Sequence, residues 1–295
     1  TYIEHNSKFV FLDSYDLKDL PINALDNINR KELRFTYKFG YLKFKNSKGV
    51  GEMALLNEVH VKWMDLIQKE NIIAKELMVH VSANTLTPEE AIGKPERNDY
   101  PLFLGKEVMI EATIGDSKGQ AFTDMPGNYE GTLQDVLNLP LTNSFERAVF
   151  IATLNAFMKN IGLIEKTVHC RDHQPKECAE QLAKYISEKY GNVKIAFIGL
   201  QPGLMQALSD SGFEIRGSDL DPDNVGKIKC GTKIFPASQN RENAEWADIV
   251  IATGSTFVND SYKDFSIGKP VLYFGVTVAG LAKLFNLKRY CPCGN

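Results

Sequence analysis

The densest set of chemically capable side chains lies between Thr167 and Cys178, where His169, Cys170, Asp172, His173 and Cys178 fall within ten residues. Thiolates and imidazoles at that density suit a soft or borderline transition metal (zinc, cobalt, nickel or iron) better than magnesium or calcium. No C-x-x-C is present, and the far pair Cys291-Pro292-Cys293 is C-x-C, so the spacing matches no structural zinc motif. His169, Cys170, Asp172 and Cys291 are the candidate metal ligands, with His173, Cys178 and Cys293 as further sources. His169 and Cys170 are adjacent, so a straight strand would point them to opposite sides; sharing an ion requires the chain to bend before the helix at Pro175. The plainer alternative is a core histidine and thiols packed as small apolar residues.

A second constellation follows. Gly199-Leu200-Gln201-Pro202-Gly203 joins a strand to a helix N-terminus, where an anion or polar group can bind. It is not an NAD fingerprint, because Gln201 stands where G-x-G-x-x-G needs a glycine beside the pyrophosphate. Asp219, twenty positions after Gly199, can bond a ribose or another polyol, and Asp221 and Asp223 continue an acidic run that can face a hard cation or simply form a solvated turn. Thr253-Gly254-Ser255-Thr256 and Gly275-Val276-Thr277 follow two later strands, as ligand donors or helix caps. Asn155, inside an apolar helix, must satisfy its amide in the core or at the site. His60 lies off its helix's apolar stripe and reads as a surface residue. No Ser-His-Asp or Cys-His elbow and no pyridoxal lysine is evident.

These residues need strands and helices to position them. Val193–Ile198, Phe213–Ser218, Asp248–Ala252 and Pro270–Phe274 are short β-branched or aromatic runs, the first, third and fourth followed by turn residues and a helix candidate and the second ending at Asp219, which predicts a parallel α/β sheet from about Gly191 onward. Helices are predicted from Asn143 or Ser144 to Gly162 and from Pro175 to Tyr190. Before them, aromatic alternation around Gly40, strands at Leu77–Val81, Glu107–Thr113 and Lys118–Thr123, a helix from Met53 to Lys69 and a loop from Thr87 to Pro101 make an α+β region. The expected division is an N-terminal α+β domain over 1–165 and a Rossmann-like domain over 166–295.

Composition excludes several classes. With 34 basic against 37 acidic residues and a net charge of -3, no field draws the chain to nucleic acid. No apolar run reaches the roughly 18 residues of a membrane span. The opening TYIEHNSKFVFLDSYD has no basic-then-apolar leader, which predicts a cytoplasmic protein, and five cysteines there read as free thiols or ligands rather than a disulfide framework.

The strings GKEVMIEA (Gly105 to Ala112), GQAFTDMPGNYEGTL (Gly119 to Leu133), RAVFIATLNA (Arg147 to Ala156), TVHCRD (Thr167 to Asp172), SDLDPDN (Ser218 to Asn224), ATGST (Ala252 to Thr256) and FGVTVAG (Phe274 to Gly280) resemble a family of uncharacterised proteins described by heavy-metal chelation. The resemblance covers about residues 80 to 294. It implies an N-terminal domain similar to that of enolases, a C-terminal Rossmann-like domain, a cleft between them, and a link to anaerobic cobalamin synthesis. It carries over Thr123, Asp124, Asn155, His169, Cys170, Asp172, Asp219 and Thr256 as site residues.

Three readings follow. The first is a metal-handling protein that binds a transition metal, or a small molecule bearing one, in an interdomain cleft. The second is a transferase or binding protein for S-adenosylmethionine or a nucleotide-like ligand, and the third a regulatory module without chemistry. Whether the chain is an enzyme, and whether it forms a homo-oligomer, is left open at this point.

Overall fold

The computed structural model describes residues 2–5, 8–11, 54–70 and 78–295; the strands expected around Gly40 lie outside them. Thr1–Ala54 and Leu55–Asn295 form separate compact units. In the first, β1 (Tyr2–His5) and β2 (Lys8–Phe11) make an antiparallel hairpin.

The second unit opens within α1 (Ala54–Lys69), whose Leu56, Val59, Trp63 and Ile67 are buried at helical spacing. A four-stranded antiparallel sheet follows, in the order β5-β4-β3-β6, from β3 (His80–Leu86), β4 (Val108–Ile114), β5 (Ser117–Thr123) and β6 (Asn128–Thr132). β4 and β5 form the expected hairpin, with Gly115 at φ 55 in its turn. Two readings are corrected here. The strand expected at Leu77–Val81 runs from His80 to Leu86. The loop expected over Thr87–Pro101 contains α2 (Pro88–Ile92), because Thr87 and Glu90 cap each other's backbone N–H groups.

After α3 (Leu133–Leu137), α4 (Ser144–Asn160) starts where Asn143 accepts from the Glu146 N–H, and it is buried on nearly every side from Ala148 to Met158. The reason is that it lies between two sheets. Its backbone sits so close to β5 that a Cβ on Gly119 would come within 2.3 Å of Ala152 O and Ala156 N. On its other side the same apolar cluster contains Ala196, Ile198, Val250 and Ala252 of the second sheet.

That second sheet is built from β7 (Ile195–Ile198), β8 (Ile215–Asp219), β9 (Ile228–Lys229), β10 (Thr232–Pro236), β11 (Ile249–Thr253), β12 (Val271–Phe274) and β13 (Lys288–Tyr290), ordered β13-β12-β11-β7-β8-β10-β9. All neighbours are parallel except β9, which lies antiparallel on the β10 edge. Setting β9 aside, the parallel strands have the 3-2-1-4-5-6 order of doubly wound α/β folds. Alternation along β7 shows why both faces are covered: Ala196 and Ile198 join the cluster around α4. Ile195 and Phe197 pack with α5 (Gln174–Tyr190) and α6 (Pro202–Asp210). Helices α7 (Asn240–Trp246) and α8 (Ala279–Phe285) complete the crossovers.

Candidate functional site

From β7 the chain builds outward through β8 and β10, then returns to β11 on the other side, so the strand order reverses between β7 and β11. Crevices for ligands open beyond the carboxyl ends of the strands at such a switch point. Here Gly199, with φ 84, ends β7 so close to Thr253 that a Cβ would meet the threonine methyl at 2.5 Å. A cleft of about 530 Å³ opens above them. One wall carries the strand ends Gly199, Asp219, Thr253, Gly275 and Cys291; the other carries Glu107, Phe122, Thr123, Asp124, His169 and Cys170 from the α+β side.

The segment bearing His169 and Cys170 is held by the edge strand β5. Gln120 N–H donates to Thr167 O at 3.0 Å, the Thr167 hydroxyl to Lys118 O at 2.6 Å, and the Gln120 side chain accepts from His169 N–H at 2.7 Å. His169 Nδ1 lies 2.7 Å from Cys170 O. A carbonyl only accepts, so the proton sits on Nδ1 and Nε2 keeps its lone pair. Burial lowers the imidazole pKa, partly opposed by that hydrogen bond, and the ring is neutral. Cys170 Sγ is 3.7 Å from Nδ1, so the two side chains meet on one wall, but the ring nitrogen facing the sulfur is already engaged by the carbonyl. Burial, and then Cys291 and Cys293, push the Cys170 thiol up to about 12.

Several expected site residues have other duties. Asn155 is fully buried outside the cleft: Nδ2 donates to Gln120 O (3.1 Å), Val276 O (3.2 Å) and Thr277 O (3.2 Å), and Oδ1 accepts from Gly280 N–H (2.7 Å). Asp172, at φ 57, turns away into a separate groove, where its carboxylate accepts from Lys94 N–H at 2.9 Å; it does not join His169 and Cys170. Gly254 is packed beneath Thr277 and Val278 rather than facing the cleft. His173 is exposed beside Glu177.

Among the residues on the wall, Gln201 caps α6 through its side-chain oxygen. Asp219 accepts from Leu200 N–H (2.6 Å), Asp221 N–H (2.8 Å) and Asn224 Nδ2 (3.3 Å), so its carboxylate already organises the loops around it. Asp221 and Asp223 are bridged by Lys106 at 3.5 and 2.6 Å. Thr123, Ser255, Thr256 and Thr277 are nearly inaccessible, and their hydroxyls bond backbone or, for Ser255, the Thr253 hydroxyl; Thr277 Oγ1 accepts from Phe122 N–H, tying the two layers together.

Glu107 was missed from sequence. Its signal was an acid directly before the strand run Val108–Ile114, on the face of β4 that turns from α4 toward the cleft. Desolvation, then the nearby charges of Asp219 and Asp124, raise its pKa from 4.5 to about 7. A carboxyl with a raised folded-state pKa contributes stability below its unfolded pKa and loses it as pH rises through the folded value. Glu107→Gln should therefore match wild type in urea unfolding at pH 4 and exceed it by about 2–3 kcal/mol at pH 8. Equal gains at both pH values would contradict the assignment.

Together these features define an α/β protein with a switch-point cleft lined by thiols, an imidazole and carboxylates. Residues 181–266 match the family model described as "Putative heavy-metal chelation" (DUF364). Among solved structures, a protein of unknown function from the DUF364 family of Pyrococcus horikoshii is similar at 14% identity and TM-score 0.45, covering 76% of this chain and 79% of its own. Another from Desulfitobacterium hafniense is similar at 13% identity and TM-score 0.43, covering 60% and 72%. No curated protein gives a significant match. Among the described residues no helix is long and apolar enough to cross a membrane.

Proposed function

We propose that the cleft binds a soft transition metal, or a small molecule bearing one, and that its seat is the end where His169, Cys170 and Cys291 meet. We take the α+β layer before about residue 165 and residues 166–295 as the two domains of the second unit, the His169–Cys170 segment of the latter being held against the former by β5. The observation that carries this is that two thiols, Cys170 and Cys291, line the same cleft as a neutral imidazole whose Nδ1–H is held by a carbonyl. A carbonyl behind the ring is how metal-binding histidines are commonly oriented. The match of residues 181–266 to a family described by heavy-metal chelation supports the same reading. A volume of about 530 Å³ leaves room for a small organic ligand around the ion. The link to cobalamin synthesis remains an implication of family resemblance.

A nucleotide or S-adenosylmethionine ligand is less well supported, because the Asp219 carboxylate and the Gln201 side chain are engaged with backbone. Binding to the native state raises its apparent stability. Protein stripped by a chelator should therefore gain thermal stability with zinc or cobalt at micromolar concentration, and none with magnesium, S-adenosylmethionine or ATP. A gain with S-adenosylmethionine and none with any transition metal would overturn the proposal.

A further inference from the structure

We infer that Cys170, Cys178, Cys291 and Cys293 form a four-sulfur seat for one tetrahedral ion of the zinc class, closed by the C-terminal tail. The inference rests on the metal reading of the cleft but replaces its imidazole ligand: sulfur takes the place of His169 at the ion, and the ring, through Nδ1–H on the Cys170 carbonyl, positions Cys170 instead.

The backbone brings these residues together from three elements. Val168 and Asn295 exchange N–H···O bonds at 2.9 and 2.8 Å, a pairing that holds residues 291–295 beside the chain just before Cys170. Lys166 Nζ donates to Pro292 O, and the Arg289 guanidinium to Lys166 O, fixing the tail at its bend. Cys291 follows directly on β13, at the same carboxyl edge as Gly199 and Thr253. Cys178 arrives from the first turns of α5 and lies close enough to Cys293 for the two thiols to influence each other. Cys170, Cys178 and Cys291 line the same cleft.

On one zinc, at Zn–S of about 2.3 Å, two thiolates keep about 3.8 Å between their sulfurs, a separation that cysteines gathered at one end of a cleft can reach around a single ion. Among the described residues no three His, Cys, Asp or Glu side chains yet stand at ligand separation, so the ion must draw the thiols inward, by side-chain rotation and movement of the short tail. Four thiolates around a divalent ion leave two negative charges, and Arg289 beside Cys291, with Lys166 near Cys293, is placed to offset them.

Cobalt(II) titration of the full chain tests this, because thiolate-to-cobalt absorption in the near ultraviolet scales with the number of sulfurs. Cys178→Ser and Cys293→Ser should each lower that absorption by about a quarter, with the visible bands still tetrahedral or nearly so, and His169→Ala should leave the spectrum unchanged. Far-ultraviolet dichroism confirms folding, and the alanine variants repeat the test should a serine variant fail to fold. If Cys170→Ser lowers the absorption but Cys178→Ser and Cys293→Ser do not, the four-sulfur set is wrong and the cleft metal stands. A spectral change in His169→Ala overturns the all-sulfur set in the same way. No cobalt bound by wild type overturns both.

Discussion

Replacing Asn155 with leucine is expected to lower the unfolding free energy by about 4 kcal/mol, among the largest losses a single substitution here can cause. The side chain is fully buried and all of its amide atoms are used: Nδ2 reaches Gln120 O on β5 and the Val276 and Thr277 carbonyls after β12, and Oδ1 caps Gly280 N–H at the start of α8. Leucine fills a similar volume but leaves a buried N–H and buried carbonyls short of a partner. Each such group costs about 1–3 kcal/mol. Because the amide stitches both sheets to the helix between them, the loss should appear as a lower urea midpoint with unchanged slope, and the surviving folded protein should keep its metal affinity. A loss below about 1 kcal/mol, or a large drop in affinity without one, would return Asn155 to the site.

Much of this fold was legible because its signals were local and repeated. Strands β7, β11 and β12 are buried along nearly their whole length, so they read as short apolar runs, and the turn residues and helices after them revealed the parallel alternation. β9, β10 and β13 carry no clear strand signal, since Ile228–Lys229, Thr232–Pro236 and Lys288–Tyr290 are short, lysine-bearing strands at or next to the sheet's edges, whose pairing is set by distant neighbours. Missing β13 concealed why Cys291 belongs to the cleft: a cysteine in a terminal C-x-C becomes a strand-end residue only once that strand is seen.

Site residues divided along the same line. His169 and Cys170 stood out by type and density, and their meeting on one wall follows from β5 holding the segment on one edge and Asn295 on the other. Asp172 was chosen by the same density. It goes elsewhere because its left-handed backbone, at φ 57, turns the chain toward Ile92 and Lys94. Asp219 was correctly placed at the end of β8, but spacing alone did not reveal that its oxygens would be spent on Leu200, Asp221 and Asn224. Glu107 carried no motif; only the facing of two sheets makes it a cleft carboxyl.

Cys170→Ser is expected to weaken zinc binding at least 100-fold, equivalent to about 2.7 kcal/mol, while leaving the fold in place. A hydroxyl is a far poorer ligand than a thiolate for a borderline ion, and the site has no ready substitute on that wall: Asp172 faces another groove and His169 Nδ1 is committed to a carbonyl. The sulfur is buried but engaged in no essential core contact that serine's smaller volume would break, so the metal-free variant should melt within a few degrees of wild type. The direct measurement is a zinc titration in chelator-buffered solution, run in parallel on wild type and Cys170→Ser. One equivalent bound by wild type and lost at the same free zinc by a folded Cys170→Ser is the expected result; no zinc bound by wild type, or equal binding by both, would contradict the account.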